Sequence, residues 1–300
     1  MFDMIKTPLD ELIGSWVISL RARHLAPKTV TTYRGAAERM HAALPERCRK
    51  DATEITRSDL RDYFAGLAAA RTPGGVSVDY RALQQFFKWA DRDEEITPNP
   101  MDKMDPPTVP EAETRVLRKE QIEALLKACK GTDFMSRRDT AIISLLLDTG
   151  IRRAECASLT CEHVDIENRE VYVMGKGRRA RYVPFSHRTA QALDRYNRVR
   201  KAHRLAHLSG YWLGERSGAM TVDGIHQVIE RRGIQAGIRD LHPHMFRHTF
   251  AHFAKDVVND DELMRLAGWK SRQMLGRYAA STADERAREA GKRSALLDRL

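Results

Sequence analysis

Leu241-His242-Pro243-His244-Met245-Phe246-Arg247-His248 is followed by an apolar helical pattern, then by Leu266-Ala267-Gly268-Trp269, and nine residues after Trp269 stands Tyr278. Pro243 suits the first turn of a helix, where its missing N–H costs nothing. A helix from Pro243 to about Ala254 then puts His244 and Arg247 at i and i+3, on one face. Histidine gives or takes a proton near neutral pH, and arginine presents a planar fork of fixed charge matched to phosphate oxygens. The pair reads as a phosphate grip. A second, short helix runs from Asp260 to Ala267, and Tyr278 falls in a helical pattern with Met274 and Leu275, where it serves either as a core residue or as a reactive phenol. His244, His248 and His252 lie at i, i+4 and i+8, a spacing open to zinc. With no HExxH and no cysteine close by, a helix face packed on a core is the better account, and neither metal nor other cofactor is expected.

Upstream, the same domain reads from residue 115 to 300. Leu117, Ile122, Leu125 and Leu126 mark one helix, and Ala141 to Leu147 mark another that is apolar nearly all round. Gly150 stops that helix within Thr149-Gly150-Ile151-Arg152-Arg153-Ala154-Glu155, and a new one carries Arg152 and Glu155 at i and i+3, so that the acid orients a guanidinium. Val164-Asp165-Ile166, Glu170 to Met174 and Arg181 to Phe185 read as short antiparallel strands. Between the last two, Gly175-Lys176-Gly177-Arg178-Arg179 is a turn that leaves Lys176 open to a ligand, or is merely decorated with solvated cations. Helices resume from His187 to about Leu208 and from Thr221 to Ala236, and Ala283 to Leu300 reads as a terminal helix.

Residues 1–96 read as a small all-helical domain. Helical spacing marks Leu9 to Leu20, a segment opened by Pro27 and ended by Pro45, one begun by Thr56 with Asp59 as a capping pair, and one after Pro73-Gly74-Gly75. On the second helix Lys28, Thr29, Thr31, Thr32, Tyr33 and Arg34 cluster where hydroxyls and cations can meet a phosphate backbone, or form an ordinary solvated face. Five of the chain's eleven prolines fall between Pro98 and Pro110, so residues 97–114 are expected to be an extended linker. The expected class is therefore mainly α with a small antiparallel β-sheet, in two domains.

The balance of 51 Lys+Arg against 41 Asp+Glu, a formal charge of +10, favours a polyanionic partner, nucleic acid first. Cys48, Cys129, Cys156 and Cys161 form no CxxC pair and read as free thiols in a reducing cytoplasm. Nothing is apolar and long enough to span a bilayer, and Met1 to Leu12 mixes charges into what a signal peptide keeps apolar.

Taken as one site around a DNA phosphodiester, Arg152, Lys176, His244, Arg247, Trp269 and Tyr278 suffice for strand transfer. Two guanidiniums meet the charge that develops at phosphorus, the indole N–H donates to an oxygen, and Lys176 protonates the departing sugar oxygen. Tyr278 is the nucleophile, and its phosphotyrosyl link keeps the diester energy, so rejoining needs neither ATP nor metal.

These pieces, Thr149 to Glu155, Gly175-Lys176-Gly177, His244-Met245-Phe246-Arg247, Leu266-Ala267-Gly268-Trp269 and Tyr278, in this order and at these spacings, resemble the signature of the tyrosine recombinases, also called phage integrases. Trp269 stands where histidine is common in that family, which rules out proton transfer at that position. The resemblance implies catalytic roles for the six residues named, with Glu155 in support, and a SAM-like core-binding domain in residues 1–96. It implies a 3′-phosphotyrosyl intermediate and exchange through a Holliday junction by four protomers on duplex DNA core sites, with the terminal helix docked on a neighbour. A simple type without an arm-binding domain is expected, bacterial or phage-encoded and associated with the nucleoid. The competing readings are a type IB topoisomerase-like relaxase, which reseals the same strand, and a non-catalytic DNA-binding regulator.

Overall fold

The computed structural model describes residues 7–110, 115–175 and 180–269, together with Arg272 and Leu275. The chain divides into two compact units, Met1–Ala112 and Glu113–Leu300.

Among its described residues the first unit's regular elements are all helices: α1 (Leu9–Ala22), α2 (Pro27–Ala43), α3 (Glu46–Lys50), α4 (Arg57–Ala70) and α5 (Pro73–Arg92). The expected capping pair is present, with the Thr56 hydroxyl accepting from Asp59 N–H and the Asp59 carboxylate accepting from Thr56 N–H. Gly74 and Gly75 lie inside the first turn of α5 rather than before it, because Thr72 caps that helix by accepting from Gly75 N–H. The apolar stripes of α1, α2 and α5 meet around Trp16, which is 1% exposed, with Phe86 edge-on to its ring. Asp79, buried on α5, takes both Arg39 from α2 and Arg71 from the end of α4, which compensates a carboxylate that burial alone would penalise. The linker departs from expectation at its near end. Ile96 and Met101 sit in this core and Tyr80 donates to the Met104 carbonyl, so residues 97–104 belong to the first unit's packing.

The second unit comprises α6 (Lys119–Ala128), α7 (Phe134–Thr149), α8 (Arg153–Ala157), strands β1 (Val164–Asp165), β2 (Glu170–Met174) and β3 (Ala180–Pro184), then α9 (His187–Lys201), α10 (Val222–Gln235), α11 (Pro243–Ala254) and α12 (Asp260–Ala267). The sheet is antiparallel in the order β1-β2-β3, with Val171 opposite Val183 and Val173 opposite Arg181. Val171, Val173 and Val183 face the core, as the period of two requires. Helix α9 stops at Lys201, short of the expected Leu208, because Arg200 turns inward to donate to the carbonyls of Ala206, Leu208, Gly210 and Tyr211 and folds that segment into a compact loop.

Helix α7 forms the centre of this core, with Ala141, Ile142, Ile143, Leu145 and Leu146 fully buried. Its one buried acid, Asp139, accepts from Arg138, Arg231 and Arg232, which locks α10 onto α7. Of the four thiols, Cys48, Cys129 and Cys156 are buried, which pushes them up to about 11, 12 and 12, while Cys161 is exposed. No helix among the described residues is long and apolar enough to cross a membrane.

Candidate active site

Two helices of the second unit end on left-handed glycines, and their last carbonyls point into one basin. Gly150 ends α7 at φ +56° and Gly268 ends α12 at φ +65°. Only glycine fits the first of these without a shift, since a Cβ there would lie 2.5 Å from the Phe250 ring. The C-terminal end of a helix carries partial negative charge and unsatisfied carbonyls, so each end attracts a cation.

Arginines supply those cations. Arg247, on α11 and only 3% exposed, donates through Nη1 to Gly150 O at 2.8 Å and through Nη2 to Ala267 O, and lies 5.4 Å from the centre of the Trp269 ring. Arg152 caps the N-terminus of α8 and donates through Nη2 to Gly268 O at 3.4 Å. Its Nη1 is paired with Glu155 Oε1 at 2.9 Å, and Glu155 Oε2 accepts from the Arg152 backbone N–H. Helix α8 is itself held by Trp212, whose indole donates to Cys156 O at 3.0 Å. Burial pushes the Glu155 carboxyl up, but bonds from Arg181 and from the Arg152 backbone outweigh it, and the group stays below its ordinary range, ionised at neutral pH.

His244 is the exposed residue of the first turn of α11 and lies near His248, with ring centroids 6.3 Å apart. Burial, then the charges of His242, Arg247, Arg152 and Arg153, hold His244 below the usual imidazole range, so it is neutral at pH 7. His248 is pushed further, to about 4, first by burial. Among the described residues no cluster of His, Cys, Asp and Glu is placed to hold a metal ion.

The structure thus brings together Arg152, Glu155, His244, Arg247 and Trp269 from three separated stretches. Lys176 and Tyr278 lie outside the described residues, as do the Arg178-Arg179 turn and the terminal segment. On α2, Thr31 and Thr32 spend their hydroxyls on the carbonyls of Pro27 and Lys28, Tyr33 stacks on Trp16, and Arg34 pairs with Glu38. Lys28 is exposed and Thr29 half-buried. The sequence reading missed Arg181, which joins Glu155 to α12. Its signal was strand alternation: Arg181 shares a face with the buried Val183, and a charge on the core side of a strand needs a partner.

Among the described residues, an all-helical unit is followed by a helical unit that carries a small antiparallel sheet and a basin where two arginine forks converge. Residues 115–285 match the phage integrase family, and residues 12–96 match the phage integrase N-terminal SAM-like domain. The chain belongs to the phage integrase family, the tyrosine recombinases, which carry out site-specific DNA recombination. It is similar to the tyrosine recombinase XerC of Ralstonia pickettii, 31% identical over 76% of each chain, and to that of Oceanobacillus iheyensis, 27% identical over 87% of this chain and 88% of the relative. In fold it is similar to the XerH site-specific recombinase in a post-cleavage complex with its palindromic difH substrate (TM-score 0.76, 17% identity, 90% of this chain and 81% of that one). It is also similar to lambda integrase as a tetramer on a Holliday junction (TM-score 0.74, 15% identity, 91% and 78%).

Proposed function

We propose that this chain carries out its family's reaction by holding one DNA phosphodiester against Arg152, His244, Arg247 and Trp269 while the Tyr278 phenol attacks phosphorus. The observation that carries the reading is the convergence of the Arg152 and Arg247 forks on the consecutive carbonyls of Gly268 and Ala267. Those carbonyls orient two permanent cations toward one place before any substrate is bound, and preorganised charge of this kind lowers the barrier for a state that gains negative charge. The Tyr278 Oη–P bond forms as the P–O5′ bond breaks, the phenol proton passes to the neutral imidazole of His244, and Lys176 gives the leaving 5′ oxygen its proton. The product is a 3′-phosphotyrosyl strand, which a second 5′-hydroxyl resolves by the reverse step. Trp269 holds an oxygen and moves no proton. The chemistry asks for no metal, ATP or other cofactor.

The partner is duplex DNA carrying specific core sites, in the cytoplasm, at the nucleoid of a bacterial or phage host. The domains act as a SAM-like core-binding domain in residues 1–96, a linker in 97–114 and a catalytic domain in 115–300. Lys28, Thr29, Thr32, Tyr33 and Arg34 lie along the DNA backbone. Four protomers pass two sites through a Holliday junction, and the terminal helix, Ala283 to Leu300, docks on a neighbour. A groove of about 1070 Å³ in the second unit, floored by Ile122, Leu126, Leu147, Phe250 and Phe253, is of the right chemistry to receive Leu296, Leu297 and Leu300.

The test uses duplex DNA selected from a random library by binding, remade with a nick so that the cleaved strand is lost. A covalent adduct on a denaturing gel, followed by joining to a second site, is the expected result. Relaxation of any supercoiled plasmid without joining favours a topoisomerase, and binding with no adduct favours a regulator.

A further inference from the structure

The proposed reaction needs the Arg152 fork in register with the turn that leads out of α12, and we propose that Arg181 is the positioning residue that couples the two. The inference rests on the recombinase reading and adds to it a residue that touches neither phosphate nor nucleophile. Arg181 donates through Nη2 to Glu155 Oε2 at 2.9 Å, through Nη1 to Glu155 Oε1 at 3.2 Å, and through Nε to Leu266 O at 3.0 Å. Its side chain is 13% exposed and that of Glu155 is 5% exposed. Glu155 therefore lies between two guanidiniums, and each of its oxygens also accepts from Arg152, one from Nη1 and one from the backbone N–H.

The third contact sets Arg181 apart from an ordinary buried ion pair. Leu266 O belongs to the last turn of α12, and two residues on, a Cβ at Gly268 would lie 3.0 Å from the Arg181 guanidinium carbon. Gly268 O in turn accepts from Arg152. The Gly268 turn is thus flanked by Arg181 and Arg152, and Glu155 closes the ring between them. A shift of α12 moves Arg181, Glu155 and Arg152 together. Lysine keeps the charge but replaces a planar fork with one ammonium, which cannot grip both carboxylate oxygens and a carbonyl in fixed directions.

Arg181→Lys tests this on the selected nicked DNA, with DNA affinity, adduct formation at saturating protein and thermal unfolding measured side by side. Affinity should stay near wild type while adduct formation slows on the order of 10²-fold, the scale of an ångström-sized misplacement. With a neutral methylphosphonate at the scissile position, where the fork has lost a charged oxygen to serve, the deficit should shrink. In an Arg152→Ala background Arg181→Lys should add nothing further, since residues acting through one another are not additive. Equal slowing on both diesters, full additivity with Arg152→Ala, or a wild-type rate in Arg181→Lys would overturn the proposal. If Arg181→Lys does not unfold cooperatively, Glu155→Gln, which breaks both pairs at nearly constant shape, must show the same phosphate-selective loss, and its absence has the same force. Absence of adduct with the wild-type chain would instead sink the recombinase reading.

Discussion

Arg152 and Arg247 donate to neighbouring links of the same backbone turn, Arg152 to Gly268 O and Arg247 to Ala267 O, although the two arginines are separated by the sheet, α9 and α10 in sequence. Like charges drawn this close repel unless something negative lies between them. Here the ends of two helices and Glu155 supply it, and a phosphate would add to it.

The shape of the fork should matter as much as its charge. Arg247→Lys keeps a cation on α11 but cannot reach Gly150 O and Ala267 O together, so single-turnover adduct formation should fall on the order of 10²- to 10³-fold. A rate within threefold of wild type would show that Arg247 acts as a point charge only.

Gly150→Ala places a Cβ against the Phe250 ring at a left-handed φ, so the second unit should lose about 3 kcal/mol in urea unfolding. A loss below about 1 kcal/mol would mean that the α7 end and Phe250 give way easily.

Acid should weaken the second unit in a defined window. The His248 imidazole is held down to about 4, so between that value and its unfolded value near 6.5 the unfolded chain binds the extra proton and stability falls as pH drops. Above pH 7 this contribution is fully present. His248→Gln should flatten the slope of melting temperature against pH between 6.5 and 4, and an unchanged slope would assign the acid sensitivity elsewhere.

Tyr278→Phe should bind the selected DNA as wild type does and form no covalent adduct. Adduct persisting in that variant would transfer the nucleophile's role to another side chain.

Binding should also be steeply salt-dependent, because each phosphate neutralised by the +10 chain lowers log K by about 0.9 per unit of log salt. A titration from low to moderate salt with slope near zero would argue against a backbone-gripping interface.

What could be read in advance follows from what is local. The αL stop at Gly150, the cap at Thr56, the Pro243 helix start and the alternating strands are short-range consequences of residue type, and all appear in the structure. The i, i+3 pairing of Arg152 with Glu155 was legible for the same reason, although Arg152 proves to be the cap rather than a helical residue. Arg181 was missed because its partners lie 26 and 85 positions away, and nothing local says which distant carboxylate a strand arginine will meet. The near half of the proline-rich stretch misled in the opposite way. Proline excludes helix but does not exclude packing, and Met101 is buried between Pro100 and Pro106.

Finally, the uneven burial of the four sulfurs has a practical consequence. Three are buried with their pKa values raised, so at neutral pH a maleimide dye should react first with the exposed Cys161, which sits on a one-turn helix beside β1 and whose backbone N–H donates to Ser209 O. The unaltered chain therefore carries its own attachment point for a fluorophore, and encounter with DNA can be followed optically without engineering a single residue.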